Sequence, residues 1–377
     1  MDIERVRKNF PYLETGIIYF NHSSLGPLSN SIIKRINEFI IERSTEPIDN
    51  FQTFLHTNVS AKEKLGLLLN CEPERIAWTD NVSNALNILA QGFKFNSGDR
   101  IILFENEFPS NIYPFLNLRN NGVEFDFIKQ HDGKYFIEDI EDAITDRTKL
   151  LSISLVQFLS GFRADLTSIG KLCKTNSITF CVDAIQGAGV VPIDVKKSQI
   201  DFIAGGAQKW LMSLQGTSYF YISEELQSKI QQKHVGWTSV NDAWNLTQYD
   251  LSLRKDASKF QTGTLNTIGI TALDESLNLF IENGIKNIEK RIVENTVYFR
   301  EKLKDNGVKI IMCDAQEAQL AGIISCIIPE IEKTFAHLQK RRINCSLRQG
   351  LIRFAPHFYN TKDEIDFVIN ELKQFIR

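Results

Sequence analysis

Short apolar runs alternate with longer amphipathic segments along this chain, and that alternation narrows the fold more than any other feature. Strand-like runs fall at 100–104, 123–128, 150–156, 178–182, 201–204 and 219–222. Helical periodicity fills the gaps, at 32–41, 83–91, 111–119 and 165–175 among others. This rhythm predicts an α/β fold, a mostly parallel sheet with helices on both faces. Ligands bind such sheets beyond the carboxyl ends of the strands, so the residues just past each strand are the first candidates for chemistry. From Gly284 the texture changes to a long charged helix at 285–305, short strands at 308–312 and 321–328, a helix at 331–341 and a last helix from Thr361. That stretch reads as a smaller α+β unit. Its presence suits a 377-residue chain, longer than the roughly 250–300 residues that one core usually serves. The stretch 241–258 reads as a polar surface excursion.

The formal charge of −3 gives no electrostatic case for nucleic acid or an anionic membrane as partner. No apolar run approaches the roughly 18–20 residues of a membrane span. The opening MDIERVRKNFPYL carries charges where a secretory signal needs an apolar stretch. The six cysteines are scattered, with no CxxC pair and no zinc-type spacing to histidine. They read as reduced, packed thiols of a cytoplasmic protein, and no metal site is expected.

Three segments carry candidate chemistry. SITFCVDAIQGAG ends an apolar strand in Asp183, with Gln186 three residues on. A carboxylate there points toward the ligand crevice, although a helix N-cap is the simpler reading. DFIAGGAQKWL ends a second strand in two glycines, which permit close backbone approach, followed by Gln208 and Lys209. A lone lysine is ordinarily a solvated one. Here 26 residues separate it from Asp183, one helix-plus-strand unit, so acid and amine can sit at neighbouring strand ends. Pyridoxal 5′-phosphate (PLP) chemistry needs that pair: an amine for a Schiff base with the cofactor aldehyde, and a carboxylate that keeps the pyridine nitrogen protonated. WTDNVSNALNILA supplies Asn81, Val82 and Ser83 at a helix start, where free N–H groups suit a phosphate or a simple cap.

Together these segments resemble the class V aminotransferase family, which includes cysteine desulfurases and isopenicillin-N-epimerase-like proteins. The resemblance runs nearly end to end, through YFNHSSLGPL, TDNVSNALN, VDAIQGAG, GGAQKWL, QTGTLN and LRQGLIRFAPHFYNT in order. It implies fold type I of the PLP enzymes: a large domain with a mixed seven-stranded sheet at 16–284, and a small C-terminal α+β domain at 285–377 joined by 1–15. It implies a homodimer with shared active sites. Lys209 would carry the cofactor and move protons at Cα. Asp183 would meet the pyridine nitrogen and Gln186 the ring oxygen. Val82 and Ser83 would hold the phosphate, with Gln208 nearby and Thr264 arriving from the other protomer. Arg353 would bind the substrate α-carboxylate, where its planar fork gives bidentate geometry. His22 is a further candidate for the substrate pocket, and His234 and His357 weaker ones.

Departures from the family pattern narrow the reaction. Phe108 stands where desulfurases place a stacking, proton-carrying histidine; it can stack but cannot move a proton. The mobile loop with a catalytic cysteine is missing, because INCSLRQG runs directly into LIRFAP, and Cys345 reads as a packed thiol. The expected function is a PLP-dependent transferase or lyase acting on a small α-amino acid through a Cα carbanion, either an aminotransferase or a C–S/Cβ lyase. Epimerisation, desulfurase-like activity without the loop cysteine, and a catalytically silent protein on this fold are the alternatives.

Overall fold

The computed structural model describes residues 2–376. Its main sheet has seven strands: β1 (Ile76–Thr79), β2 (Arg100–Phe104), β3 (Glu124–Ile128), β4 (Thr148–Ser154), β5 (Thr179–Asp183), β6 (Phe202–Gly206) and β7 (Ser218–Ile222), in the spatial order β1-β7-β6-β5-β4-β2-β3. All run parallel except β7, which is antiparallel to both neighbours, so the sheet is mixed, as the family resemblance implies. The inner strands are largely apolar and buried because helices cover both faces, whereas the edge strand β3 carries Glu124 and Asp126 and is partly exposed. Alternate residues of each strand feed two separate cores. Ile102, Leu151, Phe180, Val182 and Ile203 enter one, and Ile101, Leu103, Leu150, Cys181 and Phe202 the other.

A second sheet is built from β8 (Lys309–Ile310), β9 (Ile324–Ile327), β10 (Ser346–Arg348) and β11 (Leu351–Phe354), in the order β10-β11-β9-β8, all antiparallel. It has its own apolar cluster, including Phe299, Leu303, Ile324, Phe354 and Val368. We propose that the boundary between the two units falls at Gly284, whose φ of 74° ends the helix Thr267–Asn283 and starts Ile285–Asp305.

Two expectations change. The helix expected at 111–119 is a single α turn, Tyr113–Leu116, between two 3-10 stretches; Pro114 removes a backbone donor that a continuous helix over that span would need. The excursion at 241–258 is not merely polar, since Trp244 and Tyr249 are 66% and 98% exposed. Two long helices were not anticipated, Phe51–Leu69 and Thr267–Asn283. They are joined by Ser60 and Lys64, both donating to Asp274 at 2.7 Å.

The N-terminal segment ties the two units together. Ile18–Tyr19 pairs parallel with Ile343–Asn344, and Asn21 bridges Ala355. The chain then crosses to the large sheet, where Gly26 N–H donates to Gln208 O at 2.8 Å. A Cβ on Gly26 would collide with Lys209 O and with Met212, so only glycine allows this approach. Gly26→Ala is expected to cost about 1–3 kcal/mol by overpacking, read as a lower urea midpoint with the slope unchanged.

Candidate active site

The candidate site forms where β5 and β6 end. Asp183 is the last residue of β5 and is 2% exposed. One of its oxygens accepts Ile185 N–H at 2.9 Å, and the other accepts nothing among the described residues. Burial raises this carboxyl to about 6, against the pull of the Ile185 N–H and the Lys209 charge. Lys209 lies three residues past β6, in a turn closed by Met212 N–H to Lys209 O at 3.0 Å. Burial lowers its amine to about 8; Asp183 opposes that shift, while Arg353 and Arg348 add to it. The lysine therefore has a sizeable neutral fraction near neutral pH, which a nucleophilic amine requires. The Phe108 ring centre is 5.5 Å from its Nζ, and Phe158 meets Phe108 edge-on at 5.4 Å.

Arg353 reaches this crevice from the small sheet. It is 2% exposed and has no carboxylate partner among the described residues. Its guanidinium donates to Ser346 Oγ at 3.1 Å, Phe158 O at 2.6 Å and Ser24 Oγ at 3.0 Å. Three of five donors are thus fixed, which sets the plane, and two remain for an anion. Burial, with Arg348 adding, lowers it to about 10.

The helix Val82–Gly92 starts just past β1. Asn81 caps it by accepting Asn84 N–H at 2.8 Å, leaving the N–H groups of Val82 and Ser83 without an acceptor among the described residues. Ser83 Oγ donates to Ser110 Oγ at 2.8 Å. A buried acid with a free oxygen, an amine of lowered pKa, an open helix start and an unpaired guanidinium match the groups PLP and an amino acid carry: pyridine N–H, aldehyde, phosphate and carboxylate.

Other candidates sit differently. Gln186 is fully buried; its amide oxygen accepts Trp210 Nε1–H at 2.7 Å and its nitrogen donates to Ser23 O at 2.9 Å, leaving one N–H for a ligand. His22 does not line the crevice, which corrects its place among the substrate contacts. It is 0% exposed, with Nδ1 against Ala355 O at 2.8 Å and Nε2 against the Tyr359 hydroxyl at 2.5 Å. Burial lowers it to about 3, so it is a neutral core histidine with no ring nitrogen to spare. His357 is likewise buried, against Trp210 O, and His234 bonds Gln91 on the surface. Thr264 is exposed and lines a cavity of about 590 Å³ with Trp78, Thr79 and Asp80 but without Lys209 or Asp183; one chain alone does not bring it to the lysine. Of the two glycines before the lysine, Gly205 makes room for the Tyr219 ring and Gly206 for Gln208 and Ile185. Cys345 is buried, and burial pushes its thiol up to about 12.

Sequence reasoning missed Glu107. It sits past the end of β2, is 7% exposed, and accepts Ser154 N–H at 2.8 Å and Ser154 Oγ–H at 2.5 Å. Burial raises it to about 7, with the Ser154 bonds opposing and Asp183 adding. Its place just beyond a strand was the available signal. Ser24 and the Phe158 carbonyl were missed as well, because a main-chain acceptor leaves no mark in a sequence.

Asp183 and Glu107 keep protons in the fold that they lose between about pH 4 and 7 when unfolded. The folded state binds more protons there, so stability falls as pH rises through that window. Lys209 acts in the other direction, adding stability from about pH 8 upward. His22 and His357, held neutral by burial, act against the two carboxyls below about pH 6.5, so the check is a difference: in PLP-free protein Glu107→Gln is expected to gain about 1–3 kcal/mol of unfolding free energy relative to the unaltered chain between pH 5 and 8, measured by urea titration at each pH.

Residues 18–368 match the family model described as Aminotransferase class-V. The uncharacterized aminotransferase YcbU of Bacillus subtilis is 26% identical, covering 98% of this chain and 97% of its own. A probable cysteine desulfurase of Methanothermobacter thermautotrophicus is 25% identical, covering 99% and 98%. Among solved structures, the apo cysteine desulfurase of Thermococcus onnurineus superposes with a TM-score of 0.90 at 22% identity, covering 99% and 98%. A C-DES mutant with glycine covalently linked to its PLP cofactor gives 0.88 at 21% identity, covering 98% and 99%. With its mixed seven-stranded sheet and a family match spanning nearly its whole length, the chain belongs to the class-V aminotransferases, PLP-dependent enzymes of fold type I.

Proposed function

We propose that this protein is a PLP-dependent aminotransferase of a small α-amino acid, with Lys209 as the cofactor lysine and Arg353 as the α-carboxylate site. The observation that carries this reading is one crevice holding Asp183, Lys209 and an unpaired Arg353, with Phe108 facing the amine. When bound, PLP supplies an electron sink for the carbanion left at Cα. Asp183 would hold the pyridine N–H, Gln186 would offer its free N–H to the ring oxygen, and Val82 and Ser83 would take the phosphate, with Gln208 beside them. Arg353 would orient the amino acid so that Cα faces Lys209. Lys209 would then take the Cα proton and could deliver it to the carbon on the other side of the amino nitrogen, two atoms away, a 1,3 shift within reach of a single amine. Phe108 and Phe158 would keep water from the face they cover. Epimerisation needs a second proton carrier on the opposite face, and Phe108 is none.

The similarity to probable cysteine desulfurases favours C–S or Cβ lyase chemistry as the second reading. A desulfurase working through a mobile loop thiol fits less well. The turn between β10 and β11 is only Gln349-Gly350, with φ of 49° and 74°, and Cys345 is packed in the core beneath it.

Assembly as a homodimer with shared sites is part of this proposal. Exposed Trp244, Tyr249 and Leu251 offer apolar surface, and Thr264 stands on a loop free to reach a second copy. A reducing, cytoplasmic setting fits six cysteines that are all free. No helix among the described residues is long and apolar enough to cross a membrane.

Absorbance titration of the PLP-loaded protein with amino acids tests the reading. Conversion to pyridoxamine phosphate is expected for an aminotransferase, and keto-acid release with the starting spectrum restored marks the lyase. Lys209→Ala is expected to abolish both. Arg353→Gln is expected to weaken amino-acid binding by about 10–100-fold, the loss of a charge-assisted bidentate pair. A spectrum unmoved by any amino acid would overturn the assignment.

A further inference from the structure

Glu107 is the buried acid at these strand ends that has no task in the proposed reaction. The chain leaves β2 at Phe104, and Glu107 follows three residues on, directly before Phe108. Beyond the end of β2, the main-chain N–H of Ser154 goes to one Glu107 oxygen and the Ser154 hydroxyl to the other. On its other side Ser154 stands beside Asp183 in the register of β4 with β5, and the next N–H, that of Leu155, donates to Asp183 O at 2.9 Å. Residues paired in this way turn their side chains to the same face of the sheet. Two carboxyls therefore flank one serine at the open end of the large sheet, about two strand spacings, roughly 10 Å, apart at the backbone.

No cation neutralises Glu107. It takes part in no ion pair among the described residues. From β5 it faces Asp183, and from the segment after β3 it faces Tyr135, whose hydroxyl donates to Glu105 O. The Glu105 side chain is exposed. Lys209 lies on the Asp183 side, where its amine feels Asp183, Arg353 and Arg348. Asp183 makes Glu107 harder to ionise, and electrostatic coupling of this kind is mutual. An amide would tie the chain to Ser154 as well as an acid does, since glutamine can accept the N–H and donate to the hydroxyl. What the carboxyl adds is a charge that depends on pH, and Asp183 is the group that feels it.

We propose that Glu107 is a positioning residue for the cofactor ring, a second carboxyl that acts through Asp183 to keep the proton on the ring nitrogen. This rests on the assignment of Asp183 and Lys209 given above. A negative charge at Glu107 reinforces that of Asp183 and so favours the protonated, positive form of the ring nitrogen. The hold on the ring proton tightens as pH rises through the titration of Glu107, opposing the loss that rising pH otherwise brings.

The full chain loaded with PLP that carries nitrogen-15 in its ring tests this. The nitrogen-15 chemical shift and the PLP dissociation constant are read from about pH 5 to 9. Glu107→Gln stands in for a Glu107 that never loses its proton. At the acid end it is expected to match the unaltered chain within about twofold in dissociation constant. Above about pH 7 the two are expected to part: in Glu107→Gln the ring nitrogen loses its proton at lower pH, and PLP binds about 3–30-fold more weakly. Ser154→Ala removes a hydrogen bond that favours ionised Glu107. Its curve is expected to follow that of Glu107→Gln to a higher pH before rejoining that of the unaltered chain, a comparison that also stands if Glu107→Gln does not fold. A purely structural role, through Ser154 and the adjoining Phe108, predicts an offset that is equal at every pH. Parallel curves for Glu107→Gln and the unaltered chain, or no delay in Ser154→Ala, would overturn the proposal while leaving the PLP reading standing. Failure of the unaltered chain to hold PLP would overturn both.

Discussion

Three charged groups taken out of water without ion partners of their own are the constraint on which the rest of the structure depends. Asp183, Lys209 and Arg353 converge on one crevice, and burial moves each toward its neutral form, to about 6, 8 and 10. In a protein shaped for stability alone, apolar residues would serve better there. A ligand that brings a ring N–H, an aldehyde and a carboxylate reverses the balance, since every group then gains the partner it lacks. The same desolvation that weakens the empty site therefore strengthens its grip on cofactor and substrate.

The scaffold holds these groups from different directions, and each direction has an identifiable tie. Parallel pairing of β5 with β6 sets Asp183 beside Ala204, three residues before the turn that leads to Lys209. The N-terminal segment reaches that turn through Gly26 and supplies Ser24 to Arg353 and the Ser23 carbonyl to Gln186. Gln186 in turn holds Trp210, next to the lysine. Behind Trp210 lie His22, His357 and Tyr359, whose hydrogen bonds are satisfied internally. They form a polar but closed backing, which is why three aromatic side chains rich in potential chemistry contribute packing instead.

Much of this was legible in the sequence, for reasons that can be named. The inner strands of the large sheet are buried on both faces, so they appear as largely apolar runs, and β2 falls where the pattern puts it. Asp183 and Lys209 are legible because each follows such a run, one helix-plus-strand unit apart. Arg353 is legible through its apolar strand neighbours. What stays hidden depends on tertiary contact. His22 sits in a segment that resembles the substrate side of the family, yet its ring turns into the core. Glu107 looks like any surface acid beside a proline-containing turn, and only the fold reveals that Ser154 closes over it. The helices Phe51–Leu69 and Thr267–Asn283 carry little contrast between their faces because they pack on each other as well as on the large core.

Lysine identity is the point on which the account stands or falls, and the structure offers a second buried amine as a control. Lys62 is also nearly buried, and burial lowers it to about 8 as well, but it lies among Asp256, Glu74 and Arg254, away from the strand ends. Reduction of the PLP-loaded protein with borohydride, followed by peptide mapping by mass spectrometry, fixes the cofactor covalently to whichever amine holds it. A phosphopyridoxyl group on the peptide containing Lys209 is the predicted result. Its appearance on Lys62, or on no lysine, would contradict the account.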